Sequence, residues 1–210
     1  MKIFRNVSML VLVLLTFASC EIADPIESTV TTYADFNMSG PKYLYWQEGE
    51  AFTDPGVEAT EGGDPLEVQI DGNVDVNTPG VYPLTYSAVN SDGFPASVTR
   101  YVAVGDKTVA AGRDLSGTYD VGSRETEVSK ITDGFYDVAD ILPPNGVHAF
   151  MVDLGNGSLI IPVQSSPFGM FVADPSVNPD SSASLDSDTS FSLHFQLGGY
   201  GIFNRTFTQQ

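Results

Sequence analysis

Polar and apolar residues alternate through most of this chain, and the alternating runs are cut at short intervals by Asp-Gly, Asn-Gly and Pro-Gly pairs. A period of two sends successive side chains to opposite faces of an extended strand, so that one face can be buried. Asp-Gly and Asn-Gly supply the positive φ angles of a tight hairpin. The pattern is densest from Gly49 to Val104 and returns after Asp114. It predicts an all-β chain built of two antiparallel modules.

The first module is expected over residues 29–104. Pro79-Gly80 makes a turn, and Val81 to Tyr86 follows as a strand with Tyr82, Leu84 and Tyr86 on one face. Asp92-Gly93 turns the chain again, and Val98, Arg100, Val102 and Val104 share a face of the last strand. In Tyr43-Leu44-Tyr45-Trp46 the alternation sets Leu44 and Trp46 against Tyr43 and Tyr45, with Trp46 expected in the core. The positions Glu48-Gly49, Phe52, Asp54-Pro55-Gly56-Val57, Asp71 to Asp75, Thr78 to Tyr82, Tyr86, Asn90, Gly93 and Val102-Ala103-Val104 resemble the bacterial immunoglobulin-like domain named after insecticidal crystal proteins. The resemblance implies a β-sandwich of two stacked sheets. Asp71, Asn73 and Asp75 also start like a calcium-binding loop, but Val76 stands where such a loop needs Gly and Tyr82 where it needs Glu, so no metal is expected.

Residues 105–113 are small and read as a linker, and residues 114–210 as the second module. Ser116 to Val121 opens it. Asp133-Gly134 joins one strand pair and Asn156-Gly157 another. Phe191 to Leu197 alternates cleanly, with Phe191, Leu193, Phe195 and Leu197 inward and His194 outward; after Gly198-Gly199, Tyr200 to Thr208 closes the module. Hairpins throughout predict an up-and-down antiparallel sheet, closed as a barrel or flattened as a sandwich. The interval from Ser165 to Asp188 reads as the longest irregular stretch. Its Phe168 and Phe171, together with Tyr200, are the candidate ligand-binding residues.

The start of the chain has Lys2 and Arg5, then an apolar run from about Val7 to Ala18 that is too short to span a bilayer. Phe17-Ala18-Ser19-Cys20 resembles a bacterial lipobox, with Phe17 where Leu is usual, and Cys20 is the only Cys of the chain. The resemblance implies a signal peptide at 1–19 and acylation at Cys20. Residues 20–28 form the tether. The acidic residues after Cys20 resemble a surface-export signal, which implies a lipid anchor in the outer membrane and exposure at the cell surface. Gly117-Thr118-Tyr119 with Lys130 to Asp140 resembles the C-terminal domain of two-domain Bacteroidota surface lipoproteins, a family often associated with polysaccharide utilisation and its transporters.

The formal charge is −18, and loss of Lys2 and Arg5 with the leader takes it to −20. Such a surface repels phosphate backbones and excludes nucleic acid as a natural partner. One Cys allows no intrachain disulfide, so burial alone must hold the fold. His148 and His194 are the only histidines, and the chain has no nucleophile elbow, zinc-protease motif or phosphate-binding glycine loop. Many carboxylates stand beside Gly, Pro or Ser, where Asp is turn chemistry. The expectation is a non-enzymatic lipoprotein without a cofactor. It binds a glycan or oligosaccharide or, in the second reading, works as a structural or adhesive module on a protein partner such as a transporter complex.

Overall fold

A computed structural model describes residues 30–210, and Thr32–Gln210 form one compact unit. The signal peptide, the tether and Cys20 lie outside the described residues.

The chain is all-β. Its first part stacks two sheets. One contains β1 (Asp35–Met38), β3 (Val57–Glu61) and β4 (Asp64–Leu66) in the order β1-β3-β4. The other contains β2 (Tyr43–Gln47), β5 (Gln69–Asp71), β6 (Gly80–Val89) and β7 (Pro95–Gly105) in the order β2-β7-β6-β5, and β2 runs parallel to β7, a departure from the antiparallel module expected. The β6–β7 hairpin turns at Gly93, whose φ of 85° is one that non-Gly residues rarely adopt. Leu84, Tyr86, Val102 and Val104 fill the space between the sheets, as their alternation predicts. Trp46 faces this core but is only partly buried, edge-on to Phe52, with its indole N–H donating to the Glu50 carbonyl at 3.0 Å.

Arg100 shares the buried face of β7 and is 0% exposed. Its guanidinium pairs with Asp54 and donates to the Ser39 carbonyl, while the Tyr86 hydroxyl donates to the same Asp54 oxygen at 2.7 Å. The Arg100 Nε is buried with no partner. Burial, then the bond to Asp54, push the Tyr86 hydroxyl up to about 12.

The expected linker holds one short helix, α1 (Lys107–Gly112), capped by the Asp106 side chain, which accepts from the Val109 N–H at 3.0 Å. Then come β8 (Gly117–Val121), β9 (Arg124–Thr132), β10 (Phe135–Val138), β11 (Ala149–Asp153), β12 (Ser158–Ser166), β13 (Gly169–Ala173), β14 (Ser182–Ser187), β15 (Ser190–Leu197) and β16 (Gly201–Gln209). They pair in the order β11-β10-β9-β8-β16-β15-β13-β12, and the β11–β12 pairing closes an eight-stranded antiparallel barrel. Of the two geometries left open by the sequence, the barrel is the one formed. Closure removes the free edges of the sheet. All four inward residues expected on β15 are buried, and His194 is exposed.

The interval 165–188 is not the loop expected from its Ser, Asp and Pro content. It supplies β13 and β14, which share one position in the wall. β13 pairs with the C-terminal ends of β12 and β15, and β14 with the start of β12 and the first part of β15. Each strand is short, so local composition hides it, and pairing on both sides compensates.

The two parts are joined by a third apolar cluster. Tyr43, Tyr45, Val81, Tyr101 and Ala103 on the outer face of the β2-β7-β6-β5 sheet meet Phe135, Phe150, Val152, Leu154 and Ile160 of the barrel, with Ala110 of α1 between them. Tyr43 lies with its ring centre 5.0 Å from Phe150 and 5.6 Å from Phe135. The Tyr45 hydroxyl donates to the Asp153 carbonyl at 3.0 Å, and burial raises its pKa well above the usual tyrosine range. Beneath it, Arg113 donates to both carboxylate oxygens of buried Asp153, at 2.9 and 2.7 Å. Packing leaves no room for side chains at three glycines here. A Cβ on Gly105 would lie 2.3 Å from the Leu154 carbonyl, one on Gly134 2.4 Å from the Tyr45 ring, and one on Gly155 2.3 Å from the Asp106 carbonyl.

Candidate functional site

Exposed aromatic rings are few among the described residues, because most aromatics there serve the three clusters. Four remain exposed and meet in two pairs: Tyr33 with Phe94 in the sandwich part, ring centres 6.0 Å apart, and Phe168 with Tyr200 at one end of the barrel. Phe168 stands at the tip of the β12–β13 hairpin, held by Ser166. The Ser166 hydroxyl donates to the Gly169 carbonyl at 2.8 Å and accepts from the Phe168 N–H at 3.1 Å. Tyr200 ends the 3-10 turn Gly198–Tyr200 between β15 and β16. That turn packs against the hairpin tip at Gly198, whose φ of +45° and closeness to the Phe168 carbonyl leave no space for a Cβ. The Gln196 amide donates to the Gly198 carbonyl at 2.8 Å and fixes the turn from below.

The result is a Phe168–Tyr200 pair with ring centres 6.4 Å apart and planes at 85°. Phe168 is 36% exposed and Tyr200 69%. Met170 and Ile202, each two residues further along a strand, are exposed as well. The surface therefore offers an apolar, aromatic face bordered by backbone carbonyls and by Ser166 and Gln196. It can stack against the C–H face of a sugar ring or against an apolar side chain.

Phe171, the third residue expected in this set, is a correction. It is 1% exposed and belongs to the barrel core beside Leu197, its register partner on β15. The reason is the unforeseen strand β13. Once 169–173 is extended, Phe168 lies at the hairpin tip while Phe171 turns inward.

A second concavity, of about 400 Å³, lies between the sandwich and the barrel, where Tyr82 and Pro79 face Asp174 and Ser176. Its polar groups are largely engaged. The Tyr82 hydroxyl donates to the Thr78 carbonyl at 2.7 Å, and Asp174 accepts from the Ser176 N–H and hydroxyl at 2.9 and 2.6 Å. Burial, followed by the charges of Asp75 and Asp174, raises the Tyr82 pKa. Sequence reasoning had no signal for this cleft, because its two walls are about ninety residues apart in the chain.

The calcium-like start at Asp71 is turn chemistry. The Asp75 carboxylate accepts from the Asn77 N–H at 3.0 Å and the Thr78 hydroxyl at 2.8 Å, and these bonds lower its pKa. Among the described residues no three His, Cys, Asp or Glu side chains gather as a metal site would need. His148 contacts Asp137 at 3.0 Å on the exposed wall of the barrel.

With this geometry in place, the molecule is an all-β chain of immunoglobulin-like sheets followed by an antiparallel barrel. Residues 36–104 match the model of the bacterial surface protein Ig-like domain, so the chain carries a domain of the kind found in bacterial surface proteins. Among solved structures, the chain is similar to the lipoprotein BT2262 from Bacteroides thetaiotaomicron, at 23% identity and a TM-score of 0.38, over 84% of this chain and 100% of that one. No curated protein matches the chain.

Proposed function

We propose that this protein is a non-enzymatic lipoprotein of the outer membrane, anchored through acylated Cys20 and exposed at the cell surface. In this reading it binds oligosaccharide at the Phe168–Tyr200 face in the service of polysaccharide utilisation. The observation that carries the reading is the exposed aromatic pair, fixed by Ser166 and Gln196 on the end of a closed barrel. Two aromatic faces on rigid elements offer a sugar a preformed stacking surface at low entropic cost. The immunoglobulin-like part acts as a spacer. Its packing on the barrel through Tyr43, Tyr45 and Tyr101 makes it a stiff one. Affinity electrophoresis of the folded protein through gels loaded with plant and host polysaccharides tests this. Retardation by at least one polymer, lost in the Phe168→Ala/Tyr200→Ala double variant, is the expected result. Free migration across a broad panel would sink it, and retardation that survives the double variant would remove the Phe168–Tyr200 face as the site.

One observation favours the second reading. Met170 and Ile202, each two residues along the chain from a member of the aromatic pair, are also exposed, and exposed apolar side chains are surface chemistry for a protein partner. Under that reading the protein is a structural or adhesive module, and these side chains contact another surface protein such as a transporter complex. Co-purification from detergent-solubilised outer membrane, with wild type and Met170→Ser compared, separates the two.

A further inference from the structure

Between β8 and β16 the barrel wall is joined by a short ladder, as it also is at β11–β12 and β13–β15. The β8–β16 ladder has two residue pairs, Thr208 with Asp120 and Gln209 with Tyr119, so the rest of β16 lacks a strand partner on that side. Beside this seam the β8–β9 turn, Pro143 and the middle of β16 line a shallow, open concavity of about 550 Å³. Arg124 and Arg205 both line it, and none of its lining residues is a carboxylate.

Arg205 is placed unlike the other arginines described. On β16 it lies between Phe203 and Phe207, opposite Leu193, and these neighbours all belong to or pack on the barrel core. A period of two therefore starts this side chain on the inward-register face of the strand, where the residue is partly exposed and its guanidinium meets the Asn204 carbonyl at the surface. Arg100 and Arg113 each meet a carboxylate, in Asp54 and Asp153. Among the described residues neither Arg205 nor Arg124 has one within ion-pair distance. Arg205 donates one bond, to the Asn204 carbonyl at 2.7 Å, and lies over the Phe203 ring at 5.8 Å. A guanidinium has five N–H donors in a planar fork. In a chain with 27 acidic and 9 basic side chains, two cations that share a concavity without an acid are out of keeping with the composition.

We propose that this mouth binds an oxyanion, a carboxylate or sulfate borne on a small ligand such as an acidic sugar, between Arg124 and Arg205. Arg205 meets the anion with its fork, a geometry matched to two oxygens. Arg124 closes over it from the rim, and the hydroxyls of Ser123 and Thr206 border the ligand body. The site is separate from the Phe168–Tyr200 face and stands or falls independently of it.

Titration of the full chain with glucuronate, with glucose and with inorganic sulfate, followed by calorimetry, tests the proposal. Glucuronate is expected to saturate a single site, glucose to give no heat, and sulfate to compete. Arg205→Gln and Arg124→Gln are each expected to weaken glucuronate about tenfold or more, the scale of one charge-assisted contact, and Tyr200→Ala to leave it unchanged. Arg124 lies on the exposed rim, so its variant tests the site without disturbing the core, and circular dichroism confirms that both variants are folded. The absence of saturable glucuronate binding, or equal binding by both Gln variants, overturns the proposal. Sulfate binding without glucuronate binding assigns the mouth to a free inorganic anion and overturns the ligand-borne form.

Discussion

The sandwich and the barrel are held together in different ways. Between the sandwich sheets the fully buried apolar cluster is Leu84, Tyr86, Val102 and Val104, with partly buried residues around it. The barrel encloses twenty-one buried residues, from Leu115 to Phe207. Its two buried tyrosines direct their hydroxyls to backbone carbonyls, Tyr119 to Leu115 and Tyr136 to Arg113, both at 2.9 Å. The sandwich instead centres on a charge. Arg100 is shielded from water, and Asp54 is its ionic partner. The smaller module thus has a polar network around Arg100 at its centre and the barrel covering its outer face, whereas the larger buries far more apolar side chains and keeps its own buried carboxylate, Asp153, paired with Arg113 at the join. Small domains bury a smaller fraction of their surface, which leaves less margin for losing any one interaction.

The largest test of this difference pairs two substitutions. Phe191→Ala removes a ring stacked on Phe207 at 4.5 Å and is expected to cost about 3–5 kcal/mol in chemical denaturation. Asp54→Ala leaves Arg100 buried without its ionic partner, and about 3–5 kcal/mol is again expected. Rescue separates the two. Adding Arg100→Met to Asp54→Ala should recover most of the loss, because the stranded charge is gone, and no single change should restore Phe191→Ala. An Asp54→Ala cost below about 1 kcal/mol would mean that the ion pair does not hold the sandwich.

A smaller effect is expected at the join. Gly134→Ala would drive a methyl into the Tyr45 ring at a φ of +73°, for a loss of about 1–3 kcal/mol. Gly122→Ala, at a φ of +67° with open space around it, is the control that isolates backbone strain from the clash. Equal melting shifts in the two would show that the join is loose.

The gentlest probe is alkaline pH. Burial pushes both Tyr86 and Tyr136 up to about 12. A folded pKa above the unfolded value of about 10 gives stability that is complete below pH 10 and falls as pH rises towards 12. The denaturation midpoint should therefore stay flat on the tyrosine account up to pH 10 and then drop. Tyr136→Phe should flatten the drop, and a drop that is unchanged in this variant would remove Tyr136 as its source.

Much of this was legible before any coordinates. The turns at Gly93, Gly134 and Gly157, the inward set on β15 and the inward Arg100 follow from alternation and turn chemistry. The misreadings share one cause. The Ser165–Asp188 interval is rich in turn formers, and its strands β13 and β14 hold because neighbours on either side accept their backbone bonds. Phe171 went with them, since its direction depends on where β13 begins. Phe168 and Tyr200 were both named as candidates from the sequence, but their meeting depends on the packing of the Gly198 turn against a hairpin tip.

The chain by itself determined the local matters of where strands run, where they turn and which side chains share a face. Those follow from φ preferences and a two-residue period, which need no knowledge of distant partners. What covers each face was decided only in three dimensions. Tyr43 and Tyr45 share a face in either description, but only contact with Phe135 and Phe150 makes that face an interior. Arg205 likewise shares its strand face with Phe203 and Phe207, but that it lines a concavity with Arg124 depends on where the β8–β9 turn falls beside β16, which only the closed barrel decides.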